Sequence, residues 1–129
     1  MRGRLASFLI VAAFFGMGPN TISAHHGVTN YDMKQTIVLS GTVTAFDWSN
    51  PHCLAHVDVT DDSGHTSHWT LEMASIFTMA HRGWDMGTLK RGDHVTVETH
   101  PAKNGAPIGI TSGPGFTLKV IVNGKDLPS

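Results

Sequence analysis

The sequence predicts a mainly β fold: an OB-like small barrel of five or six strands, with one short helix between the third and fourth. Three observations predict it. Apolar residues recur at every second position through 53–59 and again through 69–73, the period-2 pattern of half-buried strands. Further β-rich stretches bounded by Gly, Pro, Asn and Asp recur as far as residue 122. A single segment with helical spacing follows the third strand. Three meandering strands, a helix, then two or three more strands is the order of an OB-fold; an open α+β roll fits that order less well.

Residues 25–35 have no clear periodicity and read as an extended arm. Residues 37–48 are rich in Val, Ile and Thr, with Gly41 marking a bulge or bend. Ser49-Asn50-Pro51 is a turn. In the strand over 52–60, Cys53, Ala55, Val57 and Val59 share one face and His52, Leu54, His56 and Asp58 the other. Asp61-Asp62-Ser63-Gly64 turns the chain into the next strand, where Trp69, Leu71 and Met73 oppose Thr66, His68, Thr70 and Glu72. Ser75 is placed to cap a helix over 76–82 that Gly83 ends. Thr88 to Asp93 leads into a strand over 94–100, with Val95 and Val97 inward. Strands over 108–111 and 116–122 follow, separated by Gly113-Pro114-Gly115, and Asn123-Gly124 closes the last one.

The N-terminus has the layout of a secretory signal: Arg2 and Arg4, an apolar run from Leu5 to Met17, the breaker Gly18-Pro19-Asn20, and small residues Ser23-Ala24. Cleavage after Ala24 is expected, leaving residues 25–129 as a single domain; an uncleaved N-terminal anchor is the alternative. The apolar run is short of the ~20 residues of a membrane-spanning helix, and no second stretch is apolar enough to span, so the cleaved chain is not expected to be integral to a membrane. Loss of Arg2 and Arg4 leaves seven Lys and Arg against ten Asp and Glu, a charge of about −3, which argues against a nucleic-acid partner. Cys53 is the single cysteine, which excludes an internal disulfide. All nine histidines lie at or after His25.

Several motifs occur together: His25-His26, Leu39-Ser40-Gly41-Thr42-Val43, Trp48-Ser49-Asn50-Pro51-His52, Trp69 with Glu72, Arg82-Gly83-Trp84, and the run from Leu89 to Val97. In these the chain resembles a family of small secreted Gram-negative proteins classed as a domain of unknown function, over about His25 to Leu118. The resemblance implies a periplasmic address and an OB-like barrel, and no established activity or ligand. Relatives tend to carry bulkier apolar and aromatic residues where this chain has Cys53 to His56, and its tail after Gly113 is less familiar.

Two constellations can carry metal chemistry. A cut after Ala24 would give His25 a free α-amine beside its own imidazole. Such an amine, with a pKa of ~7.7–8.0, yields its proton to a metal near neutrality, and His26 adds another nitrogen. The second constellation is the outward face of the central hairpin, where His52, His56, His68 and Glu72 project together. With the loop at Asp62-Ser63-Gly64, Asp58 falls opposite His68 and His56 beside Thr70, so His56 and His68 either share an ion or His68 simply hydrogen-bonds Asp58. His52 can also serve only to lock its turn. His94, Thr96, Glu98 and His100 read as a solvated face, His81 as a helix-end cation, and Cys53 as an inert core residue.

No nucleophilic triad, phosphate loop or carboxylate pair is present in the sequence, so no enzymatic activity is indicated. The function expected is a periplasmic or secreted binding module for a transition metal, copper favoured, through His25, His26, His52, His56 and His68. The alternative is a small-ligand or protein-interaction module that uses the barrel face around Trp48 and Leu54 without metal. The intact mass of the exported protein is expected to correspond to a chain beginning at His25; a longer mass would remove the free amine.

Overall fold

The computed structural model describes residues 27–129. A 3-10 turn (Val28–Asn30) is followed by β1 (Ile37–Asp47), β2 (Leu54–Thr60), β3 (Thr66–Glu72), α1 (Ile76–His81) and β4 (His94–Pro101). Then come β5 (Ile108–Ile110), β6 (Ser112–Gly113), β7 (Phe116–Thr117), β8 (Val120–Val122) and β9 (Lys125–Asp126). Neighbouring strands run β1-β2-β3-β5-β4, and β1 pairs again with β4, so five strands close into a barrel. The parallel β3–β5 pairing completes the circuit. With α1 between the third and fourth strands, this is the expected OB-like plan.

Closure depends on β1 serving two partners. Residues 37–42 pair with β4 and residues 42–47 with β2, both antiparallel. At the change of partner stands Gly41, in register with Val95. A Cβ there would overlap the carbonyl oxygen of Asp58 and lie 2.8 Å from Val57 Cγ1. Glycine therefore lets two backbones approach closely. The bulge expected at this point lies further along, between Val43 and Ala45. It changes the strand's parity: Leu39 and Val43 face inward before it, whereas Phe46 packs on the core after it.

The interior is built from inward residues of β1 to β4 and of the segment just after β3, among them Val43, Ala55, Val57, Leu71, Met73, Val95 and Val97. Each large one contributes about 1.5–3 kcal/mol by leaving water. Met79 of α1 is buried in the same cluster. The helix starts where predicted: the Ser75 hydroxyl accepts the Thr78 amide, and Asn50 Oδ1 accepts the Ile76 amide at 3.2 Å. Phe46, Trp48 and Trp84 form an aromatic chain with ring centroids 5.9 and 6.3 Å apart, and the Trp84 indole donates to the Pro128 carbonyl at 2.8 Å. No helix among the described residues is long and apolar enough to cross a membrane.

Two segments differ from the sequence reading. Within the expected arm, Tyr31 is only 4% exposed and bridges to Ala102. The Asp32 amide donates to the Pro101 carbonyl at 2.8 Å, and the Lys103 amide donates to the Asn30 carbonyl at 3.0 Å. Tertiary contacts with the end of β4 thus fasten this segment, and no local period could announce them. The last predicted strand, over 116–122, is broken: β7 folds back on β6, while β8 joins β4. Asn123-Gly124 does not end the sheet but turns it into β9, with φ of 48° and 82°, the left-handed pair of a type I′ hairpin.

Gly41→Ala is expected to destabilise the fold by about 1–3 kcal/mol or more, as overpacking against an immovable backbone does. Chemical denaturation of the purified variant measures this, and a loss within 0.5 kcal/mol (about the scatter of surface substitutions) would show that β1 can yield.

Candidate functional site

The β2–β3 hairpin has the register its alternation predicts: Asp58 opposite His68, His56 opposite Thr70, and Leu54 opposite Glu72. Apart from Leu54, its outward side chains are therefore polar, and their partners sort the histidines.

His68 Nδ1 lies 2.6 Å from Asp58 Oδ1. A carboxylate only accepts, so this nitrogen carries the hydrogen. The ring's other nitrogen is left free on a side chain that is 80% exposed. His56 Nε2 donates to Asp47 Oδ2 at 3.0 Å, and its Nδ1 stands 3.2 Å from the Thr70 hydroxyl. In the neutral ring both nitrogens are then occupied. These two His–Asp pairs line an open groove of about 430 Å³, together with Arg91, whose Nε donates to the Thr44 carbonyl. Of the two sequence readings, the hydrogen-bonded one describes the Asp58–His68 pair.

His52 is placed differently. It precedes β2, and its Nδ1 lies 3.2 Å from the Met73 carbonyl oxygen. A carbonyl can only accept, so Nδ1 carries the hydrogen, and in the neutral ring Nε2 presents a lone pair. That Nε2 is 3.5 Å from Glu72 Oε1, an oxygen that also accepts. In the neutral ring both atoms are acceptors, so their contact becomes favourable only with a proton on the ring or a cation shared between them, although the His52 side chain is itself 46% exposed to solvent. Glu72 is only 13% exposed by side chain, and low local dielectric makes such an unmet arrangement more costly. The other oxygen, Oε2, accepts the Tyr31 hydroxyl at 2.6 Å. Burial first, then the Glu72 hydrogen bond and charge, hold the Tyr31 phenol well above its ordinary range.

This pair opens onto a cleft of about 250 Å³ that is also lined by Gly27, Val28, Ser112 and Gly113. Gly27 follows His26 directly in sequence. His25 and His26 themselves lie outside the described residues. Among the described residues, no three His, Cys, Asp or Glu side chains are grouped to hold a metal ion. Of the candidates within the structure, His52 therefore shares a cleft with Glu72 and the start of the described arm, while His56 and His68 belong to the separate groove.

Cys53 is fully buried, and burial pushes its thiol up, as suits an inert core residue. Trp84 is buried, and Trp48 and Trp69 pack against the core. His100 Nδ1 donates to the Gln35 carbonyl at 2.7 Å. Two residues escaped the sequence reading. Asp47 reaches His56 because the bulge in β1 changes which residues face outward, and Tyr31 reaches Glu72 across 41 residues. Alternation within one strand carries no signal for either.

A model of a family of unknown function (DUF6152) matches residues 16–111. That span takes in the five barrel strands and ends beside β5, leaving β6 to β9 outside the match. No curated protein and no solved structure matches the chain.

The Tyr31 environment has a consequence for stability at high pH. The folded chain holds the phenol proton more tightly than the unfolded chain, whose value is near 10.0. The stabilisation is complete below that pH and is lost as pH rises through and beyond it. Denaturation midpoints are expected to fall above pH 10 in the natural chain and to fall less steeply in Tyr31→Phe. Equal slopes would contradict the buried phenol–carboxylate bond.

Proposed function

The chain belongs to that family of unknown function, and we propose that it is a periplasmic or secreted binding module for a divalent transition metal, copper foremost. In this reading, the metal is held by His52 and Glu72 from the barrel and by His25 and His26 from the start of the cleaved chain. The observation that supports it is the approach of His52 Nε2 to within 3.5 Å of Glu72 Oε1, with the remaining nitrogen of His52 hydrogen-bonded to the Met73 carbonyl. Metal-binding histidines characteristically donate their second nitrogen to a carbonyl or carboxylate in this way, which sets the tautomer and aims the lone pair.

In sequence, His26 directly precedes Gly27, which lines the cleft. With cleavage after Ala24, the His25 amine and imidazole add two nitrogens to the set. The donors are then nitrogen and oxygen, which suit copper(II) and zinc(II), with copper(II) bound more tightly in the general order. Cys53 and Met73, whose sulfur would favour copper(I), are buried in the core. His56, with both ring nitrogens occupied, and His68, isolated beside Asp58, are assigned to the polar groove rather than to the metal.

Titration of the purified protein, with its His25 start verified by mass, tests this assignment. Copper(II) binding is expected to weaken by more than roughly 100-fold in His52→Ala, exceeding the usual cost of losing a residue behind a ligand, and to change little in His68→Ala. Replacement of both His25 and His26 is expected to weaken it as well. Unchanged affinity in His52→Ala would overturn the assignment.

A further inference from the structure

We propose that Thr70, His56 and Asp47 form a hydroxyl–imidazole–carboxylate triad, and that the groove they line transfers acyl groups from small esters, with Thr70 as the nucleophile. The groove is lined by different residues from the His52–Glu72 cleft, and acyl transfer there does not call on that pair.

Each link of the triad has a direction. Asp47 Oδ2 lies 3.0 Å from His56 Nε2. A carboxylate only accepts, so Nε2 carries the ring hydrogen and Nδ1 of the neutral ring is an acceptor. The partner of Nδ1, at 3.2 Å, is the Thr70 hydroxyl, which therefore donates its proton to the ring. Both distances lie within the reach of a nucleophile, its base and the group that orients the base. Serine hydrolases use the two ring nitrogens the other way round, but either can serve as base once the other is fixed. Such sets are recognised by geometry and not by sequence position. His68 marks the contrast: Asp58 fixes its Nδ1 hydrogen in the same way, yet among the described residues no hydroxyl meets its other nitrogen.

The fold supplies the placement. Thr70 and His56 are register partners across β2 and β3. The bulge in β1 sets Ala45 opposite His56 and brings Asp47 within reach of the ring. Thr70 is half-buried at an open groove of about 430 Å³, within the size range of small-molecule sites. Arg91 is the one permanently charged cation lining that groove, and the Thr44 carbonyl holds its Nε at 3.0 Å. A positive charge at the groove wall offsets the oxyanion that forms on attack.

In the reaction, Thr70 Oγ1 adds to the ester carbonyl carbon as its proton passes to His56 Nδ1. Collapse breaks the bond to the leaving oxygen, which takes that proton, and an acyl-threonine ester remains. Water then adds to the acyl carbon and gives a proton to Nδ1. The threonine oxygen leaves with that proton, and the free acid is released. Asp47 stays ionised throughout and stabilises the imidazolium.

The test uses the full chain as exported, with 4-nitrophenyl acetate and a chelator present. Nitrophenolate release is followed, and the acetylated residue is located by mass spectrometry of quenched samples. Saturable release with an acetyl group on Thr70 is expected. Thr70→Val should fall to the background rate of surface imidazoles. His56→Gln and Asp47→Asn should each slow acetylation of Thr70 by roughly 100-fold or more, the low end for a positioned base, whereas His68→Ala should retain it. Release in Thr70→Val equal to that of the natural chain would overturn the triad. So would acetyl groups found only on histidine, lysine or the terminal amine. Should Thr70→Val fail to melt as a folded protein, Thr70→Ser keeps a hydroxyl in place; an acetyl group at position 70 then supports the assignment, and its absence there overturns it.

Discussion

The barrel exists because one strand pairs along both of its edges with partners that diverge from it. β1 hands over from β4 to β2 at residues 41–42, and at that point the backbone of Asp58 comes so close that only a residue without a side chain fits. Closing the sheet gives each half of β1 a paired strand, the first half β4 and the second half β2. It also forces curvature, and the bulge after Val43 supplies it. The same bulge brings Phe46 onto the core and turns Asp47 outward to meet His56. A single irregularity thus shapes both the interior and the polar face.

Histidine content alone is a poor guide to chemistry, and hydrogen-bond partners refine it. His56 and His68 sit on the same sheet face and are each engaged by an aspartate, so their remaining nitrogens face the Thr70 hydroxyl or open solvent. At His52 the partner is a backbone carbonyl and the next neighbour is another acceptor. That reversal is what makes the pair with Glu72 suited to a cation. Surface ion pairs such as Asp58–His68 contribute little to stability in water. The buried Tyr31–Glu72 bond matters more, since breaking it strands a carboxylate oxygen in a poorly hydrated place.

Much of this was legible residue by residue. Alternation over 53–59 and 69–73, with a short Asp-Ser-Gly loop, defined the hairpin register to the residue, including Asp58 opposite His68. Ser75 and Gly83 bracketed the helix because capping is a local matter of one side chain and one backbone angle. The tail was less legible. Asn123-Gly124 reads as the end of the last strand because β9 beyond it is only two residues long, too short for any pattern to declare it. In the stretch from Phe116 to Val122, continuous β-type residues concealed a break that pairing with two different strands imposes.

By itself, then, the sequence determined the class of fold, the inward and outward faces of the hairpin and the core placement of Cys53. These follow from periodicity and side-chain chemistry, which act over a few residues. Only the tertiary structure decided which histidine faces a second unpaired acceptor, that Asp47 belongs with His56, and that an apparently free arm is pinned through Tyr31 to Glu72. The physical reason is reach. A hydrogen bond needs its atoms within about 3 Å, and for groups 41 positions apart in the chain only the closure of the barrel brings them that near.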